Sequence, residues 1–182
     1  MKGLVFTEFM DMVETAYGLD MLEHLLNETQ PASGGAYTTV GTYDHNELVA
    51  MLACLSNVTQ EPLPALLRRF GESLFGRFAE RYPEFFEVPR DSFEFLATVE
   101  NTVHTEVRKL YQNAELPSFD YEATGKDSMT LTYRSCRPFG DLAEGLIAGC
   151  GRHFGETIDI TREDLSQDGE THIRFGLQRR AA

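Results

Sequence analysis

The sequence predicts an α+β fold: an all-helical N-terminal half, then a C-terminal α/β half with a four-stranded antiparallel sheet. Three observations predict it. Apolar residues recur at helical spacing through the first hundred positions. The pattern then changes at Leu116-Pro117 to period-two alternation broken by a single helix, which gives β-β-α-β-β. Between the two halves stands one long segment, residues 91–111, without Gly or Pro.

Val5, Phe6, Phe9, Met12, Val13 and Ala16 give the first helix, which Gly18 stops. A short helix follows over 19–27, with Leu22, Leu25 and Leu26 on one side. Pro31, Ser33, Gly34 and Gly35 make 30–42 a loop. Asp44 can cap a helix to about Asn57, and Pro62 or Pro64 opens another as a first-turn proline, running to about Phe78. Tyr82-Pro83 breaks that run. Asp91 and Glu94 have capping-box spacing at the head of the 91–111 helix, whose apolar stripe is Leu96, Val99, Val103, Val107 and Leu110. Strands are expected at 118–124 and 128–137, joined by a turn at Gly125-Lys126, then a helix over 141–154 and strands at 157–160 and 171–177. Gly145 and Gly149, four apart, leave a smooth patch for close backbone packing.

The chain has 182 residues, 42% of them hydrophobic, enough for a real core in one domain or two intimate subdomains. Thirteen phenylalanines supply much of it. A formal net charge of −13 argues against nucleic acid and against an anionic membrane surface, and fits docking on a basic partner. No signal-peptide pattern opens the chain and no apolar run reaches bilayer length, so it reads as cytoplasmic. Cys54, Cys136 and Cys150 are odd in number and far apart, which gives neither a disulfide framework nor a zinc ribbon.

Two stretches carry chemistry. His104 lies at the margin of the long helix's stripe, on the side of Phe93 and Ala97 at about 100° per residue. An imidazole there reaches a cavity edge while the stripe anchors the helix. It is suited to ligate a haem iron, and equally to be a half-buried helix histidine. Tyr133, Ser135 and Arg137 leave one face of one strand and span about 13 Å. All three are donors, and the arginine fork suits a carboxylate. Such a row can hold two carboxylates on one flat molecule, as haem carries, or can simply face water.

With these residues in view, the chain resembles the H-NOX family, the haem nitric-oxide/oxygen-binding module that also forms the haem domain of soluble guanylate cyclase. The resemblance rests on the Met1-Lys2-Gly3 start, His104 late in its helix, Pro117 after it, Tyr133-x-Ser135-x-Arg137, and Glu144-Gly145-Leu146-Ile147 in the next helix. It spans essentially the whole chain. It implies a single domain, with about 1–60 as the distal part and 61–182 as the proximal part, and one haem b per chain between them. It also implies His104 as the proximal iron ligand, Tyr133, Ser135 and Arg137 on the propionates, and Pro117 pressing on the ring. Phe9, Leu74, Phe78 and Leu142 are candidates for the apolar distal pocket, though any one of them taken singly reads as plain core.

The gas follows from polarity. Oxygen-binding members place a tyrosine where this chain has Leu142 and an asparagine where it has Leu74. With no donor at either place, the expectation is a sensor of nitric oxide and CO that does not hold oxygen. Nitric oxide weakens the bond on the opposite side of the iron. Release of His104 would then relax strain held by Pro117 and bias a two-state element. Stand-alone bacterial members imply a separate partner, most often a histidine kinase or a cyclic-di-GMP enzyme.

The rival reading is a haemless small-molecule-binding module of the vinyl-reductase-like type, which has a similar helix and tail. A haem peroxidase is disfavoured because no distal His or Arg stands ready for acid–base work. His24, His45, His153 and His172 are scattered, and Cys150 with His153 is too few ligands for a structural zinc. No common catalytic motif is present, so no enzyme activity is expected. Glu100, four residues before His104, reads as a helix-face residue.

Overall fold

The computed structural model describes residues 1–167 and 169–181. The chain forms two compact units, Met1–Phe70 and Gly71–Ala182. The first holds α1 (Gly3–Tyr17), α2 (Leu19–Thr29), α3 (His45–Thr59) and the start of α4 (Leu63–Arg81). Its core gathers Phe6, Phe9, Leu25, Leu48, Met51 and Leu55, all fully buried, and Phe9 meets Phe70 edge-on at 5.4 Å. The loop after α2 is held by side chains. The Tyr37 ring stacks on Phe6 at 4.5 Å, and its hydroxyl donates to Glu47 Oε2 at 2.7 Å, an oxygen that also accepts from Ser33 Oγ at 2.6 Å. Burial leads in pushing the Tyr37 hydroxyl up to about 12, so it remains a donor at any ordinary pH.

The second unit carries the sheet. It holds the end of α4, a 3-10 turn at Pro83–Phe86, α5 (Ser92–Thr98), a π-helical turn at Val99–Val103, and α6 (His104–Leu110). Then come β1 (Ser118–Ala123), β2 (Ser128–Ser135), α7 (Gly140–His153), β3 (Glu156–Asp164) and β4 (Thr171–Ala181). The sheet order is β1-β2-β4-β3 and every pairing is antiparallel. This is the expected β-β-α-β-β tail. Met129, Leu131 and Tyr133 alternate inward along β2 and meet Ile173, Phe175 and Leu177 of β4 in one core with Phe75, Phe93, Phe95 and Ile147.

The 91–111 segment is helical along most of its length but not regular. The His104 amide bonds to the Val99 carbonyl, five residues back, so the turn before the histidine is wider by one residue. One extra residue rotates everything after it by about 100°. The expected apolar stripe keeps Leu96, Val99 and Val103 on the core and Val107 half-buried, whereas Leu110, beyond the widened turn, is 70% exposed. Periodicity cannot reveal a single widened turn, because it assumes one pitch throughout. The N-terminal cap forms through Asp91, whose carboxylate accepts from Glu94 N at 2.8 Å. The reciprocal half of the box is displaced, since Glu94 reaches Arg90 N at 3.0 Å instead of the cap residue.

Arg179 of β4 anchors this helix start to the sheet. Its guanidinium meets Asp91 at 2.8 Å, Asp127 at 3.0 Å and Glu156 of β3 at 3.4 Å, and lies 4.9 Å from the Phe93 ring centroid. Glu156 also accepts from Ser92 N at 3.1 Å.

The glycine patch on α7 performs its expected role. A Cβ on Gly149 would lie 2.8 Å from Phe75 Cβ, and one on Gly71 would lie 2.3 Å from the Leu142 carbonyl oxygen and 2.8 Å from Leu146 N. The α4–α7 approach is therefore backbone on backbone, and neither side can yield by turning a side chain. Gly71→Ala should lower unfolding free energy by about 1–2 kcal/mol, overpacking outweighing the gain in helix propensity. Urea melts of the two proteins check it, and an equal or higher midpoint for the variant would contradict the close approach.

Candidate functional site

His104 sits at the first turn after the widened segment, its side chain 12% exposed. Its Nδ1 lies 3.0 Å from Glu100 Oε2. The same oxygen accepts from the backbone N–H of Phe119, at the head of β1, at 3.2 Å, and Glu100 Oε1 accepts from Arg108 at 2.8 Å. One carboxylate thus joins helix, histidine and sheet edge. Burial pushes the Glu100 carboxyl up, but the bonds from Arg108, His104 and Phe119 outweigh it and hold the group below its usual range. Burial is the leading influence on His104 and lowers it; Glu100 pulls it up and Arg108 pushes it down, with a net lowering. The imidazole is therefore held neutral near pH 7. With Nδ1–H donated to Glu100, the Nε2 lone pair is left for another partner, the tautomer a metal-ligating histidine needs.

The Phe119 ring bridges the two predicted stretches, 5.7 Å from His104 and 5.4 Å from Tyr133. Phe119 and Tyr133 are register partners across β1 and β2, which puts their side chains on one face. Tyr133 is buried, and burial leads in raising its hydroxyl, so it stays a donor. β2 ends at Ser135, two residues before its expected end, so Arg137 lies beyond the strand. A local bond takes over there: Ser135 Oγ accepts from Arg137 N at 3.1 Å. The Arg137 side chain is buried, and Nη1 donates to the Glu115 carbonyl at 2.8 Å while Nη2 pairs with the Glu115 carboxylate. Glu115 stands two residues before the half-buried Pro117, so Arg137 also pins the segment that carries the proline.

Leu74 and Leu142 are both buried and flank the α4–α7 crossing at Gly71. Phe78 is half-buried, 6.5 Å from the Tyr82 ring. Phe9 is core of the first unit. His153 packs among Phe75, Phe86 and Phe154, and Cys150 Sγ lies 3.7 Å from the Ser92 carbonyl oxygen. Cys54 is half-buried and Cys136 exposed. No cluster of three or more His, Cys, Asp or Glu suited to a metal occurs among the described residues.

The model of the haem-NO-binding family matches residues 2–162. The chain belongs to the haem-NO-binding family. The H-NOX fold is equally plain in solved structures. The Fe(II) unliganded H-NOX protein from K. algicida is 35% identical, with a TM-score of 0.92 over 100% of this chain and 98% of that one. The H-NOX protein from S. oneidensis in its Fe(II)NO state is 25% identical, with a TM-score of 0.90 over 99% of each chain. A search of curated proteins finds no significant match. H-NOX is a haem-binding sensor fold rather than a catalytic one. No helix among the described residues is long and apolar enough to cross a membrane.

The residues of this H-NOX chain suit a haem. A protein-bound haem takes one neutral imidazole and partners for its carboxylates, and needs no cluster of metal ligands. His104 has the required tautomer, and Arg137 already carries a carboxylate, that of Glu115. Sequence reasoning missed Phe119 and Glu115, which have no motif of their own. Glu100 stood at the right spacing but reads as a plain face residue until the sheet edge closes on it.

The sign of the His104 shift has a consequence in the apoprotein. A histidine lowered in the folded state favours folding above its unfolded value of about 6.5 and costs stability as pH falls below that. Glu100→Gln removes the groups that pull His104 up. NMR titration should place the His104 midpoint below 6.5 in the parent and lower still in the variant; a higher midpoint in the variant would refute the assigned hydrogen bond.

Proposed function

We propose that this chain is a cytoplasmic haem-based gas sensor that takes nitric oxide and CO and signals to a separate protein. The reading is carried by His104, a neutral imidazole whose Nδ1 is fixed by Glu100 beside a strand end rich in donors. When bound, haem b supplies a ferrous iron with one position open to a diatomic gas. The chain's own residues do the rest. His104 would hold the iron through Nε2. Tyr133, Ser135 and Arg137 would hold the propionates, and Pro117, on the segment that Arg137 pins, would rest against the ring. Residues from about 1–60 form the distal part and 61–182 the proximal part.

Gas choice comes from what is missing at two positions. Bound oxygen draws negative charge and needs a donor beside it, whereas nitric oxide does not. Leu142, Leu74 and Phe78 offer only hydrocarbon. The S. oneidensis relative is known in an Fe(II)NO state, which supports the assignment of the gas.

The signal starts at His104. The Glu100 oxygen that holds its Nδ1 also holds Phe119 N at the head of β1. A displaced imidazole therefore disturbs the edge of the sheet, the kind of coupled element a population shift requires. A separate partner, such as a histidine kinase or a cyclic-di-GMP enzyme, would read that change.

Purified protein reconstituted with haemin and reduced should show a Soret band that moves with nitric oxide and with CO and fails to hold a shifted position in air. His104→Gly should lose tight haem retention and regain it with added imidazole. An unchanged ferrous spectrum in that variant would remove His104 from the metal. Leu142→Tyr alone should leave oxygen retention weak, because Leu74 gives the new hydroxyl no polar neighbour; stable retention in the single variant would show that one donor is enough.

A further inference from the structure

The buried Arg137 guanidinium is already in use. Nη1 holds the Glu115 backbone carbonyl and Nη2 holds the Glu115 carboxylate. The two partners differ in kind. The carbonyl belongs to the backbone leading to Pro117 and cannot leave without moving it. The carboxylate sits on a side chain that is 75% exposed, against 9% for the arginine, so it can swing into water at little desolvation cost. A second carboxylate arriving from a ligand needs the same donor.

We propose that Glu115 is a replaceable latch on the carboxylate-binding arginine: its side chain closes the Arg137 fork and yields to a porphyrin carboxylate, while its carbonyl stays bonded. The inference rests on the reading of Arg137 as a carboxylate holder. The exchange is one carboxylate for another on the same guanidinium, so no buried charge is left unpaired at either end. The latch keeps Arg137 oriented and paired before the ligand binds, and it makes this end of the site compete with every incoming carboxylate. Selectivity follows, because a ligand must offer a carboxylate placed to displace Glu115 while its ring is held elsewhere.

The test uses apoprotein and metal-free protoporphyrin IX, which separates the carboxylate contact from the iron and from His104. Glu115→Gln keeps the backbone carbonyl and removes the competing charge. It should bind the porphyrin about two- to fivefold more tightly, the range for an ion pair with one exposed member. Glu122→Gln, which removes an exposed charge on β1, should bind like the parent. Protoporphyrin IX dimethyl ester, with both carboxylates blocked, should show no difference between parent and Glu115→Gln. In the Arg137→Gln background the gain from Glu115→Gln should vanish, as coupled residues require.

A parent that takes up the porphyrin while Glu115→Gln gains nothing overturns the latch and leaves the sensor reading standing. An equal gain in Glu122→Gln, or a gain that persists with the ester or without Arg137, also overturns it by showing a general charge effect. A parent that takes up neither porphyrin nor haemin overturns the sensor reading and the latch with it.

Discussion

The arrangement of the second unit depends on one carboxylate. Glu100 stands in a turn widened to the π form, and its two oxygens receive an imidazole, a backbone amide and a guanidinium. A half-buried carboxylate is costly unless each lone pair is used, and here the bonds outweigh that cost. The result fixes three things at once: the tautomer of His104, the start of β1, and the path of the last helical turns. The widened turn is part of the same device, since π turns often mark functional positions in helices.

Around that point the unit is built to be stiff at one end. The N-terminus of α5 is tied to β3 and β4 through Arg179, Asp91 and Glu156, and its first turn is capped. α4 and α7 meet backbone to backbone at Gly71 and Gly149. Beyond His104 the segment reaches the surface, and Leu110 is exposed there. Glu100 ties the turn before His104 to the head of β1. In the proposed sensor that concentrates a change at His104 into a change at the edge of the sheet.

The donors of β2 show a second division of labour. Tyr133 is core, with its ring against Phe119, and its polar tip is only part of its role. Ser135 spends its oxygen on the Arg137 amide, which turns the chain out of the strand. Arg137 then reaches across to the segment before Pro117. Residues that the spacing suggests as a plain row of ligand donors also shape the loop beside them, so in the proposed sensor ligand binding and loop geometry would share the same atoms.

The residue pattern alone determined the class of fold and the order of its elements, and singled out His104 and Tyr133-x-Ser135-x-Arg137. Those depend on local quantities: period, capping residues, breakers and a spaced motif, all visible along one line of sequence. The glycine pair on α7 was legible for the same reason, because small residues four apart lie on one helical face. Only the tertiary structure decided the rest. The π turn changes the phase of a helix by one residue, which no periodic average detects, and so Leu110 passed from expected core to surface. Glu100 became the partner of His104 and Phe119 only when β1 was laid beside the helix. Glu115 met Arg137 across 22 residues of chain. Pairings of this kind are set by where separate elements come to rest, and a sequence read one segment at a time carries no term for that.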